Sequence, residues 1–327
     1  MAVRCRAGVL NAYPRVGDTA EDQLLRRTLA RRDAGEATDV EVARAEESVA
    51  EAAVQEQEEA GLDWVTDGQV GWYDPVSHIA RGLEGFAIGG LLRWFDTNTY
   101  IRQPERTGPV RHRAPITVAA FEHARRVARK PVKAVLAGPW TLAAHTKLDG
   151  IRTEAFAEEI LPALVAEVRA LAAAGATHIQ IDEPSLTLEA TLPREVRDAS
   201  EAFAAAKGKA ELGLAVYFGG VPTLLPALLE LPYDFLSLDL VQGAATLPAL
   251  RRSRPRAPLH LGLVDARNTR LEDPSTVAGT LREIAKATNS SEVGITTSNS
   301  LEFLPRNRAR DKLRILAMAA ASVGGGA

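Results

Sequence analysis

The fold turns on the stretch Thr177–Leu186, THIQIDEPSL. An apolar run climbs to two adjacent acids, Asp182 and Glu183, and a proline stops it. Strands that are apolar on both faces belong to parallel sheets covered on both sides by helices. An acid at the carboxyl end of such a strand stands where α/β barrels gather their reactive groups.

Seven further runs share this pattern: Gly8–Tyr13 (GVLNAY), Leu62–Asp67 (LDWVTD), Lys133–Gly138 (KAVLAG), Leu212–Phe218 (LGLAVYF), Phe235–Leu240 (FLSLDL), Leu259–Val264 (LHLGLV) and Val293–Ser298 (VGITTS). A helical pattern follows each. Eight strand–helix repeats predict a (β/α)8 TIM barrel, with an open doubly wound sheet as the alternative. The 327 residues fit one such domain, 1–327, because barrels of this kind run to about 250 residues and beyond.

The helices between the runs have readable ends. Thr38 and Glu41 form a capping-box pattern before an Ala/Glu-rich segment that stops at Gly61. Between Ile151 and Ala174, residues Phe156, Ile160, Leu164, Val168 and Leu171 share one face, with Gly175 as the stop. Pro162 within that helix predicts a kink. These helices read as packing elements without a binding role. One connection breaks the rhythm: residues 68–131 form a long insertion after the second strand. It holds GQVGWYDPVSH and LRWFDTN, rich in aromatic and hydrogen-bonding side chains. Connections of that length usually carry function or small elements of their own, so 68–131 is read as a lid or substrate wall.

Composition narrows the function classes. A formal charge of −3 with arginines scattered among acids gives no continuous basic face, so neither nucleic acid nor a membrane surface is expected as partner. The densest basic stretches, Arg102–Arg113 and Arg251–Arg256, read as solvated loops. Cys5 is the single cysteine, leaving no disulfide framework and no CxxC motif. No apolar leader is visible, and the longest apolar run, Ile315–Val323, is too short to span a bilayer. A cytoplasmic protein acting on a small molecule is the expectation. Neither GxGxxG nor a P-loop occurs, and Ser185 and Ser298 have no base positioned in sequence for nucleophilic catalysis.

The strand ends form the expected rim of a site: Asn11, Tyr13, Pro14 and Arg15; Asp67 and Gln69; Gly138 to Thr141, including Trp140; Asp182 and Glu183; Tyr217 to Gly219; Asp239; Asp265 and Arg267; Thr297, Ser298 and Asn299. Asp67, Asp182, Asp239 and Asp265 each end a different apolar run. Converging carboxylates need cations, protons or backbone donors, and the plainest reading of each alone is a bond to its own loop. Zinc favours cysteine and histidine; the six histidines show no paired spacing, and His178 and His260 begin strands. No metal site is assigned, zinc is disfavoured, and an oxygen-liganded ion such as magnesium stays open.

Taken together, YPRVG (13–17), EEAGLDWVTDGQVGWYD (58–74), RWFDTN (93–98), AGPWTL (137–142), HIQIDEPSL (178–186) and YFGG with LDLVQG (217–220, 238–243) resemble the cobalamin-independent methionine synthase family. That family is built of (β/α)8 barrels, two in its full-length members. The resemblance is to the amino-terminal, zinc-free barrel. The family's zinc ligands, a His-x-Cys, a glutamate and a cysteine, fall near Val216, Phe218, Asp239 and Asn299, three of which are not ligands of that type. The resemblance further implies methyl-folate as methyl donor, with Arg15 at a tail that Arg26 and Arg27 would also meet. It implies an amino group as the partner of the Asp182–Glu183 pair, a charge-assisted contact of roughly 1.5–3 kcal/mol.

The leading reading is therefore methyl transfer or related one-carbon or thiol chemistry without zinc. Asp182, Tyr217 and Asp239 are the expected catalytic residues. Arg15, Asp67, Gln69, Trp94, Asp96, Asn98, Trp140, Glu183, Asp265 and Ser298 are the expected substrate contacts, with Trp94 and Trp140 as stacking walls. A homocysteine thiol of pKa near 8.5 is mostly protonated at neutral pH, so the missing zinc supports a second reading. In it the chain is a non-catalytic, folate- or amino-acid-binding barrel that works with a separate zinc-bearing barrel. A barrel lyase or decarboxylase using the four strand-end aspartates is the third.

Overall fold

The computed structural model describes residues 3–324. In chain order its elements are β1 (Arg4–Ala7), α1 (Leu24–Asp33), α2 (Asp39–Glu59), α3 (Pro75–Arg81), β2 (Leu83–Arg93), β3 (Tyr100–His112), α4 (Val118–Val127), β4 (Lys133–Ala137), α5 (Pro139–His145), α6 (Thr153–Ala173), β5 (His178–Asp182), α7 (Arg194–Ala206), β6 (Glu211–Val216), α8 (Leu225–Leu228), β7 (Phe235–Asp239), α9 (Leu247–Arg251), β8 (Leu259–Val264), α10 (Pro274–Thr288), β9 (Glu292–Thr297) and α11 (Arg306–Gly324). They pack as two compact units, one of Met1–Gly71, Ala120–Lys133 and Leu259–Ala327, the other of Trp72–Ala119 and Ala134–Pro258. The α/β alternation expected from the sequence is present in both.

In the first unit the strand order is β1-β9-β8. β1 lies parallel to β9 from Arg4↔Glu292 to Ala7↔Ile295, and β9 lies parallel to β8. The first strand was expected at Gly8–Tyr13 and instead ends at Ala7. Its charges hid it: Arg6 pairs with Glu292 at 2.7 Å, so a strand carrying alternate arginines is neutralised from its neighbour. The run Leu62–Asp67 is reduced to single parallel bridges, Gly8↔Trp64 and Val65↔Val132. Asp63 N–H donates to Ala7 O at 2.8 Å, and Val65 exchanges bonds with Pro131 O and Lys133 N–H at 3.0 and 2.8 Å. The segment thus has backbone partners on both flanks.

Glycine makes this interior possible. Trp64 stacks on His260 at 4.8 Å and 16°. A Cβ at Gly8 would lie 2.1 Å from the indole, and one at Gly294 would lie 2.4 Å from the imidazole. The buried Lys133 ammonium donates to Val9 O and Leu10 O at 3.0 and 2.8 Å. On the outside, Leu25 of α1 and Val42, Ala45 and Val49 of α2 close over Val70. The Thr38–Glu41 capping box forms as read, and Gly61 ends that helix at φ +88°.

In the second unit the order is β7-β6-β5-β4. The β5–β6 register runs from His178↔Glu211 to Asp182↔Ala215, and the β6–β7 register from Gly213↔Phe235 to Val216↔Leu238. On helix α6 all five stripe residues, Phe156, Ile160, Leu164, Val168 and Leu171, are fully buried. The helix runs through Pro162 without interruption. The long insertion contributes α3 and an antiparallel hairpin of β2 and β3. Arg102–His112 therefore belongs to a strand and not to the solvated loop expected. The physical reason lies on α6. Arg106 donates to both Glu159 oxygens at 3.1 Å, which neutralises one arginine and fixes the strand against the helix.

Candidate functional site

The second unit brings four of the expected residues, Asp182, Glu183, Tyr217 and Asp239, to the carboxyl ends of β5, β6 and β7, with Trp140 just after β4 and Trp94 against Phe218. Asp182 is the last residue of β5 and 2% exposed. It accepts from Gln180 Nε2 at 2.7 Å and from the Tyr217 hydroxyl at 3.1 Å. Tyr217 follows β6 directly, so the parallel register that pairs Asp182 with Ala215 also delivers the phenol to the carboxylate. Gln180, two residues earlier on the same face of β5, fixes the other oxygen.

Glu183 points elsewhere. Its two oxygens accept the backbone N–H groups of Trp140 and Thr141 at 2.9 and 2.7 Å. It therefore caps the first turn of α5, whose own N-cap residue Gly138 has no side chain to do so. Gly138 is required there, since a Cβ would stand 2.1 Å from the Glu183 carboxylate. Burial pushes the Glu183 carboxyl up to about 7, against the backbone donors that favour its charged form. Asp239 ends β7 and accepts Phe218, Val241 and Gln242 N–H at 3.2, 2.8 and 3.0 Å. Burial raises it to about 6. Asp239 is thus committed to the backbone around its own loop, Glu183 to the start of α5, and Asp182 to the side chains of Gln180 and Tyr217.

The turn between β2 and β3 splits the RWFDTN motif. Trp94 is buried, while Asp96 and Asn98 face solvent. Trp94 packs edge-on against Phe218 at 6.1 Å and lies 4.8 Å from the His145 ring. Phe95 meets Phe218 at 4.9 Å and His145 at 5.4 Å. Trp140 is buried too, with its indole N–H on Glu189 at 3.2 Å. His145 escaped the sequence reading because no second histidine stands at ligand spacing; it ends the helix that Glu183 caps, a link visible only in three dimensions.

In the first unit, Asp67 takes the Gln69 N–H at 3.1 Å, and burial raises its carboxyl. Gln69 adopts φ 51° and is buried, with Nε2 lacking a hydrogen-bond partner. Arg15 reaches Val70 O at 3.5 Å, and Arg26 and Arg27 are exposed on α1. Asp265 accepts the Arg267 N–H at 2.8 Å and the Asn268 side-chain amide. Ser298 Oγ takes the Ala266 N–H at 3.1 Å. Tyr13, also a rim residue, gives its hydroxyl to Glu56 at 2.7 Å, which Arg306 Nη2 pairs at 2.8 Å.

The family model for the N-terminal domain of cobalamin-independent synthases matches residues 76–289. The chain belongs to the cobalamin-independent synthase family. It is 28% identical to the 5-methyltetrahydropteroyltriglutamate--homocysteine methyltransferase of Salinibacter ruber over 90% of this chain and 43% of that protein. Against the enzyme of the same name from Ralstonia pickettii it is 32% identical, over 71% of this chain and 34% of that one. The chain thus spans less than half the length of these relatives. A Saccharolobus solfataricus protein named methionine synthase is matched over 90% of its length and 93% of this chain, at 28% identity. The structure of a B12-independent methionine synthase from Shewanella sp. W3-18-1 in complex with selenomethionine superposes with a TM-score of 0.81 over 97% of each chain, at 21% identity. That likeness shows the (β/α)8 fold.

The positions at which the family resemblance set zinc ligands are Val216, Phe218, Asp239 and Asn299. Val216 is aliphatic, and Phe218 is an aromatic ring packed on Trp94 and Phe95. Asn299 is fully buried, and Asp239 is occupied by three backbone donors. Among the described residues no group of three or more His, Cys, Asp or Glu side chains is placed to hold a metal. Among them too, no helix is long and apolar enough to cross a membrane.

Proposed function

We propose that this chain carries out methyl transfer, or closely related one-carbon or thiol chemistry, on a small substrate bearing an amino group, in the cytoplasm. One observation carries the reading: Asp182, buried at the end of β5, is held by Gln180 and Tyr217 through both oxygens. A carboxylate fixed in that way is preorganised for an ammonium group, a charge-assisted contact of roughly 1.5–3 kcal/mol. Tyr217 supplies a hydroxyl proton beside it, and Asp239, with a carboxyl near 6, is the acid–base group of the set. Trp94 and Trp140 form apolar walls. Glu183 contributes by holding α5 and Trp140 in place. In the first unit, Asp67, Gln69, Arg15, Asp265 and Ser298 are proposed substrate contacts in their own right, and residues 68–131 are proposed as a lid or substrate wall. The proposed methyl donor is a methyl-folate, by analogy with the names of the Salinibacter and Ralstonia relatives.

A second reading is favoured by a specific observation: three of the family's zinc-ligand positions hold Val216, Phe218 and Asn299, and the relatives just named are more than twice as long. In that reading the barrel binds donor or acceptor for a separate zinc-bearing barrel protein. One assay separates the two. Transfer from 5-methyltetrahydropteroyl-triglutamate to homocysteine is measured with the protein alone and with such a barrel added. Turnover by the chelator-washed protein alone supports the enzyme, and turnover only on addition supports the accessory barrel. Absence of turnover in both arms removes the methyl-transfer reading.

A further inference from the structure

Strain and an unsatisfied polar atom coincide in one place in the second unit. Phe95 and Phe218 hold φ values of 52° and 71°, a left-handed region that is strained for bulky residues. Their rings touch at 4.9 Å. Against both lies the imidazole of His145, 9% exposed, with Trp94 on it at 4.8 Å. Its Nε2 is buried and has no hydrogen-bond partner, so its lost hydration is offset by nothing in the protein. Leucine or phenylalanine would fill the same apolar surroundings without that cost.

We propose that His145 is a ligand-contacting specificity residue: its Nε2 completes a hydrogen bond with a polar atom of a ligand whose apolar body lies against Trp94, Phe95 and Phe218. The inference rests on the reading of the β5–β7 strand ends as the substrate site. Burial pushes the imidazole down to about 4, so near neutral pH the ring is uncharged, with one nitrogen a donor and the other an acceptor. The chemistry it selects is an uncharged amide, hydroxyl or heteroaromatic nitrogen on an apolar or aromatic frame.

A residue kept for a ligand and one kept for packing respond oppositely to an apolar substitution. Thermal melting of the ligand-free protein and titration with homocysteine and with 5-methyltetrahydropteroyl-triglutamate are measured for wild type, His145→Phe and His145→Gln. We expect His145→Phe to melt about 1–3 °C above wild type and to bind at least one probe about tenfold more weakly, with His145→Gln recovering most of that loss. His145→Leu, smaller than the ring it replaces, carries the same expectations where phenylalanine does not fit. Lower melting of both apolar variants with unchanged affinity overturns the proposal. Should wild type bind neither probe, the substrate-site reading fails, and the melting arm still decides the role of His145: a gain supports the unsatisfied contact and a loss overturns it.

Discussion

The hairpin of β2 and β3 is treated differently at its two ends. At the β3 end, Glu167 of α6 is fully buried and completely used. It accepts Ile116 N–H, Thr117 N–H, the Thr117 hydroxyl and His112 Nε2 at 2.7 to 3.0 Å. Phe86 and Arg106 pack on Phe156 of the same helix at 5.7 and 5.9 Å. At the turn end, Trp94 and Phe95 meet a histidine with an unpartnered nitrogen, and two phenylalanines sit in a strained backbone region. The first arrangement minimises free energy locally, whereas the second leaves free energy that a ligand contact can recover. Stability and recognition are thus assigned to opposite ends of one insertion.

The comparison breaks most visibly at the anchor. Glu167→Leu strands the Ile116 and Thr117 N–H groups, and Phe156→Ala opens a cavity under the hairpin; each is expected to cost roughly 3–5 kcal/mol by denaturant unfolding. Phe95→Gly, at the turn, exchanges ring burial for relief of a left-handed backbone and should shift stability by less than about 1.5 kcal/mol. Equal losses at Phe156 and Phe95 would abolish the distinction.

Next in size is the response to pH of the capping acid. Glu183 has its folded-state carboxyl raised to about 7 from an ordinary 4.5, so between those values the folded protein holds a proton that the unfolded chain has released. Its contribution to stability is full below about 4.5 and is lost as pH rises toward 7, by at most about 1.4 kcal/mol per pH unit. Asp239, raised to about 6, acts in the same direction. Urea midpoints for Glu183→Gln should therefore fall less steeply than those of wild type over this window. Parallel curves would show that the α5 cap is fully ionised throughout. The smallest effect belongs to Tyr217→Phe, which removes one bond to Asp182 and should weaken amine binding by about 0.5–1.5 kcal/mol, read by calorimetry with the fold unchanged by circular dichroism.

What the sequence disclosed follows physical rules. His178–Asp182 and Leu259–Val264 were legible because a strand buried on both faces has little choice but aliphatic residues. Arg4–Ala7 was not, since its arginines are neutralised by Glu292 on β9, a partner nearly three hundred positions away. β3 was missed because Pro104, Gly108, Pro109 and four charged residues between Arg102 and Arg111 interrupt any apolar alternation. One signal was present and unused: Glu167 lies three residues after Leu164 and one before Val168, within the apolar stripe of α6. An acid there has to be buried and bonded. Within the site, the last residue of each strand marked Asp182 and Asp239. The division of labour between Asp182 and Glu183 depends on where α5 begins, and the isolation of His145 depends on rings from Trp94, Phe95 and Phe218. Neither is local in sequence.

The central claim is that Asp182 recognises an amine without help from zinc, and it is tested most directly by calorimetric titration of homocysteine into chelator-washed protein, wild type and Asp182→Asn. The expected result is binding by wild type, unchanged by added zinc and weakened roughly tenfold or more by the substitution, in line with a charge-assisted bond of about 1.5–3 kcal/mol. Binding that appears only with stoichiometric zinc, or that survives Asp182→Asn undiminished, would contradict it.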